Sequence, residues 1–109
     1  MAGFVKGDIV VIPFPFSDLS GNKKRPALIL ANLPGDDIIL CQITSQQTKD
    51  AFSILINFND FSSGSLPVAS NIRPTRIFTA DKNIIIRKAG TLKTQITEKV
   101  TQLLIDLLK

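Results

Sequence analysis

The chain contains no histidine, no tryptophan and no tyrosine, and it has one cysteine among its 109 residues. Without histidine it lacks the usual general base, the usual catalytic triad and the commonest ligand of transition metals. Its one cysteine, Cys41, can form neither an intramolecular disulfide nor a cysteine cluster for a metal. Because Cys41 follows the apolar residues 38–40, we expect it to be a buried structural thiol. Any catalysis must proceed without imidazole, and we expect no metal and no other cofactor.

Membrane and secretion signals are also missing. No apolar run approaches the roughly 20 residues that span a bilayer. The N-terminus lacks the basic region, apolar core and cleavage site of a signal peptide. We therefore expect a soluble, cytoplasmic protein with no membrane partner.

Acidic residues are fewer than basic ones. Thirteen Lys and Arg against nine Asp and Glu give a net charge of +4 and a pI near 9.5. This balance favours a polyanionic partner, but an ordinary solubilising surface charge explains it as well. The carboxylates have no paired spacing that would indicate a two-carboxylate hydrolase or a divalent-metal cluster. The length allows one hydrophobic core, so we expect a single domain over residues 1–109.

Short apolar segments dominate the first three-quarters of the chain and predict β-strands. Residues 59–67 contain three serines and a glycine and predict an irregular loop. From Thr94, the expected N-cap, apolar residues recur at helical spacing to the C-terminus. Seven or so strands with one terminal helix predict a mostly β fold, a β-barrel capped by a helix. The predicted strands are Asp8–Phe16, Ala27–Ala31, Ile38–Ile43, Phe52–Phe58, Val68–Ile72, Thr75–Thr79 and Asn83–Leu92.

One pair of these strands is expected to form a hairpin. Pro34 and Gly35 occupy the two central positions of a predicted type II turn between Ala27–Ala31 and Ile38–Ile43. Antiparallel pairing then brings Arg25 and Thr44 to the same end of the ladder. Their proximity is a consequence of the strand register.

The residues at that end have the chemistry of a phosphate site. Pro26 favours an extended backbone for Arg25, whose planar guanidinium can bind two phosphate oxygens. Residues 44–48 all carry side-chain hydrogen-bond donors, which elsewhere often only satisfy a turn backbone. An arginine beside a hydroxyl suits a phosphorane, because negative charge accumulates on its nonbridging oxygens.

Further basic and aromatic residues indicate contacts with a nucleic acid. Lys24 lies in the densest cationic run, residues 23–25, although most such runs are solvated loops. Arg73 and Arg76 form a second cationic pair, which is either an ordinary surface or a strand edge that follows a single-stranded nucleic acid. Phe16, after Pro15, is the phenylalanine we expect to stack on a base.

Several motifs occur along the chain, namely Gly7–Val11, Pro13-Phe14, Lys24–Leu30, Ile43–Gln46, and Leu92 with a C-terminal helix. Together they resemble those of the MazF/PemK (Kid) toxins of type II toxin–antitoxin systems. The resemblance covers nearly the whole chain in order and spacing. It implies an SH3-like β-barrel of the CcdB/MazF type with a C-terminal α-helix, a homodimer, and an acidic, partly disordered cognate antitoxin as partner. It also implies a metal- and ribosome-independent endoribonuclease that cuts single-stranded RNA at short sequences, by 2′-OH attack that leaves a 2′,3′-cyclic phosphate.

The same resemblance places the catalytic arginine on Arg25 and the catalytic threonine on Thr44, with Gln46 in the neighbouring substrate-contacting motif. We expect Ser45 to orient the phosphate beside Thr44. Together with Phe16, Lys24 and Arg73, identified above, these are the expected substrate contacts. Some family members carry an Arg and an Asp, proposed as acid and base, where this chain reads Ala69-Ser70-Asn71, and neither is present here.

Two other functions fit the same sequence. The barrel also resembles CcdB, a gyrase inhibitor without nuclease activity, in which Arg25 and Thr44 would be structural. A catalytically inactive module that only binds RNA or an antitoxin is the second alternative, and it would bind with steep salt dependence without cleaving.

Overall fold

The computed structural model describes residues 3–13, 24–46 and 51–109, and most of them lie in strands. The elements are β1 (Asp8–Pro13), β2 (Lys24–Asn32), β3 (Asp37–Thr44), β4 (Ile54–Ile56), β5 (Phe61–Gly64), β6 (Ser70–Asp81), β7 (Arg87–Leu92) and α1 (Thr94–Leu108). Two short 3-10 helices, Phe58–Asp60 and Lys82–Ile84, precede β5 and follow β6. The predicted mostly β fold with a terminal helix is confirmed. In the described ranges no helix combines the length and apolar character needed to cross a membrane.

The seven strands form one antiparallel sheet in the order β4-β6-β3-β2-β1-β7-β5. Ile54 and Ile56 come from one edge of this sheet and Phe61 from the other, yet all three belong to the same buried cluster. The sheet is therefore curled into a half-barrel, so that its two edge strands share a core.

The two faces of the sheet bury different clusters. One face, the helix-side face, carries Ile9, Leu28, Cys41 and Ile43, and the α1 residue Val100 belongs to the same cluster. The opposite face, the far face, buries a second cluster that alternates with the first along each strand. Its members are Val10, Ile12, Ala27, Ile29, Ile38 and Leu40. Because both faces of the central strands are buried, these strands are continuously apolar in sequence.

The β2–β3 hairpin is confirmed. Gly35 has a φ of 81°, the left-handed value that the third position of a type II turn requires. Near the turn Ala31 pairs with Ile39, whereas beyond a β-bulge at Leu30 the register shifts and Ile29 pairs with Leu40. Strands β2 and β3 both extend further than the apolar runs predicted, and they include Arg25 and Thr44.

The prediction of two strands, Val68–Ile72 and Thr75–Thr79, was wrong, since they are one continuous strand, β6. On β3, Gln42 pairs with Arg73 while the adjacent Cys41 pairs with Ile77. Residues 74–76 therefore form a bulge, in which the missing N–H of Pro74 leaves the ladder intact.

The predicted loop 59–67 was also wrong in part, because it contains β5, which pairs with β7. The close approach of these two strands requires glycine: a Cβ on Gly90 would lie 2.6 Å from the carbonyl oxygen of Ser63. Strands β4 and β7 are both shorter than predicted. Within the predicted strand 52–58 only Ile54–Ile56 is extended as a strand, and β7 begins at Arg87, after the second 3-10 helix.

The helix α1 begins at Thr94, so Lys93, and not Thr94 as predicted, is the N-cap. The carbonyl oxygen of Lys93 accepts hydrogen bonds from the backbone N–H groups of Ile96 and Thr97, at 3.0 and 3.2 Å. The apolar stripe packs on the sheet through its first three turns, but Leu107, which the spacing placed on that stripe, is exposed.

Candidate functional site

Arg25 and Thr44 lie at the same end of the sheet, as the hairpin predicted. The β2–β3 register pairs Ala27 with Gln42, and two more residues in that register set Arg25 opposite Thr44. Both residues therefore lie on the far face, because the pleat alternates and Ala27 is in the far-face cluster. On the next strand out, β6, Asn71 pairs directly with Thr44.

The hydroxyl of Thr44 is held in place by the chain that follows it. Thr44 is buried, and its Oγ1 accepts a hydrogen bond from the backbone N–H of Gln46 at 3.2 Å. The side-chain Nδ2 of Asn71 donates to the carbonyl oxygen of Gln46, also at 3.2 Å. The turn is thus tied to Thr44 on one side and to β6 on the other. Since Oγ1 serves as an acceptor here, the hydroxyl hydrogen of Thr44 can be donated to a bound anion.

Arg25 is half-buried at the start of β2, between Lys24 and Pro26. Its backbone pairs with Ile12 of β1. Its Nε atom is buried and has no hydrogen-bond partner among the described residues. A fixed guanidinium with an unsatisfied donor is well suited to bind an oxyanion.

A cleft of about 660 Å³ opens beside Arg25, at the end of the helix-side face. Four of the residues predicted from the sequence line it, namely Lys24, Arg25, Ser45 and Gln46, whereas Thr44 and Arg73 do not. Its other described lining residues are Val11, Pro26, Ile43, Leu66, Pro67, Val68, Ser70, Ile86 and Arg87. Lys24, Arg25 and Arg87 bring positive charge, and no carboxylate is among these described lining residues. The cleft therefore attracts anions.

The predicted residues thus divide between two faces that meet at one end of the sheet. Lys24 and Ser45 lie on the helix-side face, in the cleft. Thr44 and Arg73 lie on the far face, because Arg73 pairs with Gln42, two residues before Thr44. Arg25 connects the two groups, since it lies opposite Thr44 by register and also lines the cleft. Phe16 lies outside the described residues, and its stacking role stays a prediction.

The sequence reading missed Arg87. Arg87 pairs with Val11, which in turn pairs with Pro26, so the three form a row across neighbouring strands. The available signal was the basic pair Arg87-Lys88 after three isoleucines, residues 84–86. Lys88 has a different use, because its Nζ lies 3.7 Å from a carboxylate oxygen of Asp8.

The segment Ala69-Ser70-Asn71, which lacks the acid and base residues of some relatives, has structural contacts of its own. Ser70 is buried, and its hydroxyl donates to the carbonyl oxygen of Val68 at 3.0 Å. Asn71 is the residue of this segment that faces Thr44, and it acts on the site through Gln46. Sequence reading did not single out Asn71, because its role depends on pairing between distant strands.

Asp8, part of one of the resembling motifs, lies away from the cleft in the sheet interior, with 1% of its surface exposed. One carboxylate oxygen accepts a hydrogen bond from the backbone N–H of Val5 at 3.0 Å, and the other from the hydroxyl of Thr91 at 2.9 Å. The same carboxylate pairs with Lys88. Asp8 therefore ties the segment before β1 to β7, which is a structural role.

Cys41 is fully buried in the helix-side cluster, and this burial raises the pKa of its thiol to about 12. The prediction of a buried structural thiol is confirmed, since a neutral, inaccessible thiol is a poor nucleophile. No group of three or more His, Cys, Asp or Glu side chains within the described ranges is arranged to hold a metal ion.

Fold and cleft together define a class of protein: a small, curled antiparallel sheet with a C-terminal helix on one face and a cationic cleft at one end. A family model describing the PemK-like, MazF-like toxins of type II toxin–antitoxin systems matches residues 5–108. The chain therefore belongs to this toxin family, and the resemblance found in the sequence is confirmed.

Solved structures with the same fold include proteins named MazF. A MazE–MazF crystal structure from Deinococcus radiodurans matches with a TM-score of 0.75 at 17% identity, covering 99% of this chain and 97% of that one. An endoribonuclease in complex with its cognate antitoxin, from a mycobacterial species, gives 0.74 at 17% identity, with 97% and 95% covered. The Mycobacterium tuberculosis toxin MazF-mt6 gives 0.70 at 16% identity, with 91% and 93% covered. A comparison with curated proteins finds no match.

Proposed function

We propose that the chain is the toxin of a type II toxin–antitoxin system and acts as a sequence-specific endoribonuclease on single-stranded RNA. The observation that supports this best is the register of the hairpin. Continued two residues beyond the Ala27–Gln42 pair, it sets Thr44 opposite Arg25, which lines a cleft whose described lining carries three cations. The chain also belongs to this toxin family. Solved structures of the same fold include proteins described as endoribonucleases.

The proposed reaction uses a nucleophile from the substrate itself. The ribose 2′-oxygen attacks the adjacent phosphorus while its proton leaves, and the bond from phosphorus to the 5′-oxygen breaks. The products are a 2′,3′-cyclic phosphate and a 5′-hydroxyl, which takes up a proton. Because the attacking group is the 2′-OH, the reaction is confined to RNA. It requires no metal ion and no ribosome.

Arg25 and Thr44 are the proposed catalytic residues. In the phosphorane, negative charge accumulates on the nonbridging oxygens, where fixed donors have their largest effect. The guanidinium of Arg25 binds these oxygens, and the hydroxyl of Thr44 donates its hydrogen to one of them, while Ser45 orients the phosphate. Arginine remains charged in proteins and is therefore not the base. Water, or a carboxylate such as Asp18 in the segment outside the described residues, accepts the proton.

The RNA crosses the end of the sheet in this proposal. The scissile phosphate lies at Arg25 and Thr44, the flanking backbone lies in the cleft against Lys24 and Gln46, and Arg73 and Phe16 make the outer contacts. The segments 17–24 and 46–50, of which only Lys24 and Gln46 are among the described residues, read the bases in this proposal.

We further propose that the whole chain, residues 1–109, acts as one domain, as a homodimer, and in the cytoplasm. Its second partner is a cognate antitoxin with an acidic, partly disordered segment. Two solved structures of the same fold are complexes with an antitoxin. An acidic segment that folds on the cleft competes with RNA for the same cationic side chains.

The test is a cleavage assay on a long single-stranded RNA and its DNA counterpart, both with EDTA present. We expect cuts in RNA alone, each ending in a cyclic phosphate. Arg25→Ala is expected to remove about 2–4 kcal/mol of transition-state stabilisation, by analogy with lost oxyanion donors. Thr44→Val, which keeps the shape of this buried side chain, should also cut slowly, and Thr44→Ser should retain activity.

Lys88→Gln is the charge control, because Lys88 is not among the described lining residues of the cleft. Near-native cleavage by Arg25→Ala would refute its assignment. If the wild type leaves RNA intact, the endoribonuclease proposal fails. A DNA-cleavage assay with gyrase then separates a gyrase inhibitor from an inactive binding module.

A further inference from the structure

Among the described lining residues of the cleft, Arg87 is the one cation that sequence reading did not assign. It is exposed at the start of β7 and, among the described residues, forms no ion pair. Its neighbour Lys88 instead pairs with the buried Asp8. Of two adjacent basic residues, one thus supports the fold, and the other carries into the cleft a charge that no described carboxylate compensates.

The strand order gives the distance between this charge and the catalytic end. Arg87, Val11 and Pro26 lie side by side on β7, β1 and β2, so two interstrand spacings, about 10 Å, separate Arg87 from the strand of Arg25. Val11 and Pro26 form the floor between the two arginines. The long side chains of Arg25 and Arg87, on either side of this apolar floor, can therefore bind successive anionic groups of one ligand.

The remaining walls fit a nucleotide. Leu66, Pro67, Val68 and Ile86 present apolar surface to the cleft, next to the cations and the hydroxyl of Ser70. A base packs against apolar surface, while its phosphate requires a positive charge that no nearby carboxylate compensates. The described lining provides both within one cleft of about 660 Å³.

We propose that Arg87 forms a second phosphate subsite, which binds the RNA phosphate adjacent to the one held by Arg25. This inference rests on the proposed function and adds to it a residue that binds without taking part in the chemical step. Arg87 therefore determines how tightly RNA is held and which register it adopts on the sheet, while Arg25 and Thr44 determine how fast it is cut.

The experiment measures binding apart from cleavage. A short, fluorescein-labelled single-stranded oligonucleotide with 2′-O-methyl riboses cannot be cut, because its nucleophile is blocked. Its affinity is measured by fluorescence anisotropy over a series of salt concentrations for the wild type, Arg87→Gln, Arg87→Lys and the control Lys88→Gln. Each phosphate contact on a single strand contributes about 0.7 to the slope of log affinity against log salt. Arg87→Gln should lower the slope by that amount and weaken binding about fivefold at 0.1 M salt.

Arg87→Lys should recover most of the affinity, since it keeps the charge, and Lys88→Gln should match the wild type. In steady-state cleavage of RNA, Arg87→Gln should raise KM and leave kcat within about twofold. Thermal unfolding of each variant verifies that it is folded. Unchanged affinity and slope in a folded Arg87→Gln would overturn the inference, even if the wild type cleaves RNA.

The inference would also be overturned if Arg87→Gln weakened only the binding of an acidic peptide. Failure of the proposed function has a different signature: the wild type leaves RNA intact, while the oligonucleotide assay still reports whether Arg87 binds it.

Discussion

Replacing Asp8 by alanine tests whether this part of the resembling motif is structural or catalytic. Asp8 accepts one hydrogen bond from Val5 and one from Thr91, and it is 1% exposed. A hydrogen bond to a charged group contributes about 1.5–3 kcal/mol. The third contact, with Lys88, adds less than about 1 kcal/mol, because that side chain is 43% exposed and screened by solvent.

Removal of the carboxylate also removes its own desolvation cost, so the net loss is smaller than the sum of its bonds. We expect Asp8→Ala to lower the free energy of unfolding by about 3 kcal/mol. In a domain of this size this lowers the melting temperature on the order of 10 °C. Urea unfolding followed by circular dichroism measures the loss, and cleavage below the transition should remain close to wild type.

A double-mutant cycle with Thr91→Val isolates the strongest contact. We expect a coupling free energy of about 1–2 kcal/mol between Asp8 and Thr91. A folded Asp8→Ala protein with native stability would refute the structural role. Native stability combined with lost cleavage would instead indicate that Asp8 takes part in the reaction.

Two further predictions concern Cys41 and Asn71. Because the thiol of Cys41 ionises near pH 9 when unfolded and at about 12 when folded, the unfolded chain loses this proton first. Stability should fall between pH 9 and 12 by up to about 1.4 kcal/mol per pH unit, and the fall should be shallower in Cys41→Ala, as urea titrations at each pH would show; equal slopes would contradict it. Asn71→Ala should lower kcat about tenfold with little loss of stability, because the turn that holds Thr44 loses its tie to β6. An unchanged rate constant for cleavage in a single-turnover experiment would mean that Thr44 holds its position without Asn71.

The end of the sheet that carries Arg25 and Thr44 could be predicted because its determinants are local in sequence. Pro34 and Gly35 specify the turn, the turn specifies the hairpin, and the hairpin brings Arg25 to Thr44. Pro26 likewise restricts the backbone of Arg25 to an extended conformation, because of steric contact with the proline ring.

The parts that sequence reading missed depend on pairing between distant segments. β5 contains serines and a glycine, which alone predict a loop, and it is a strand only because β7 lies beside it. Pro74 indicated a strand break, but a bulge opposite β3 accommodates it. Arg87 enters the cleft because β7 adjoins β1, which no local pattern reveals.

The sequence also did not show on which face of the sheet a residue lies. The basic pair Arg73 and Arg76 predicted a substrate contact, but not the face of the sheet on which it lies. Arg73 is on the far face with Thr44, outside the described lining of the cleft, and its contact with the substrate stays a prediction. Period-two alternation can place such a residue only when the bulges in its strand are known, and β6 contains one of three residues.

The extra residue in β2, Leu30, determines which side chain of β3 lies opposite Arg25. If the register near the turn, where Ala31 pairs with Ile39, continued without interruption, Ser45 would stand opposite Arg25. The extra residue shifts the register by one position, so that Thr44 lies opposite Arg25 instead of Ser45. The bulge thus lies five positions along β2 from Arg25, the residue whose cross-strand neighbour it determines. An alignment of relatives made on the turn, without counting that residue, would therefore set Ser45, and not Thr44, opposite Arg25.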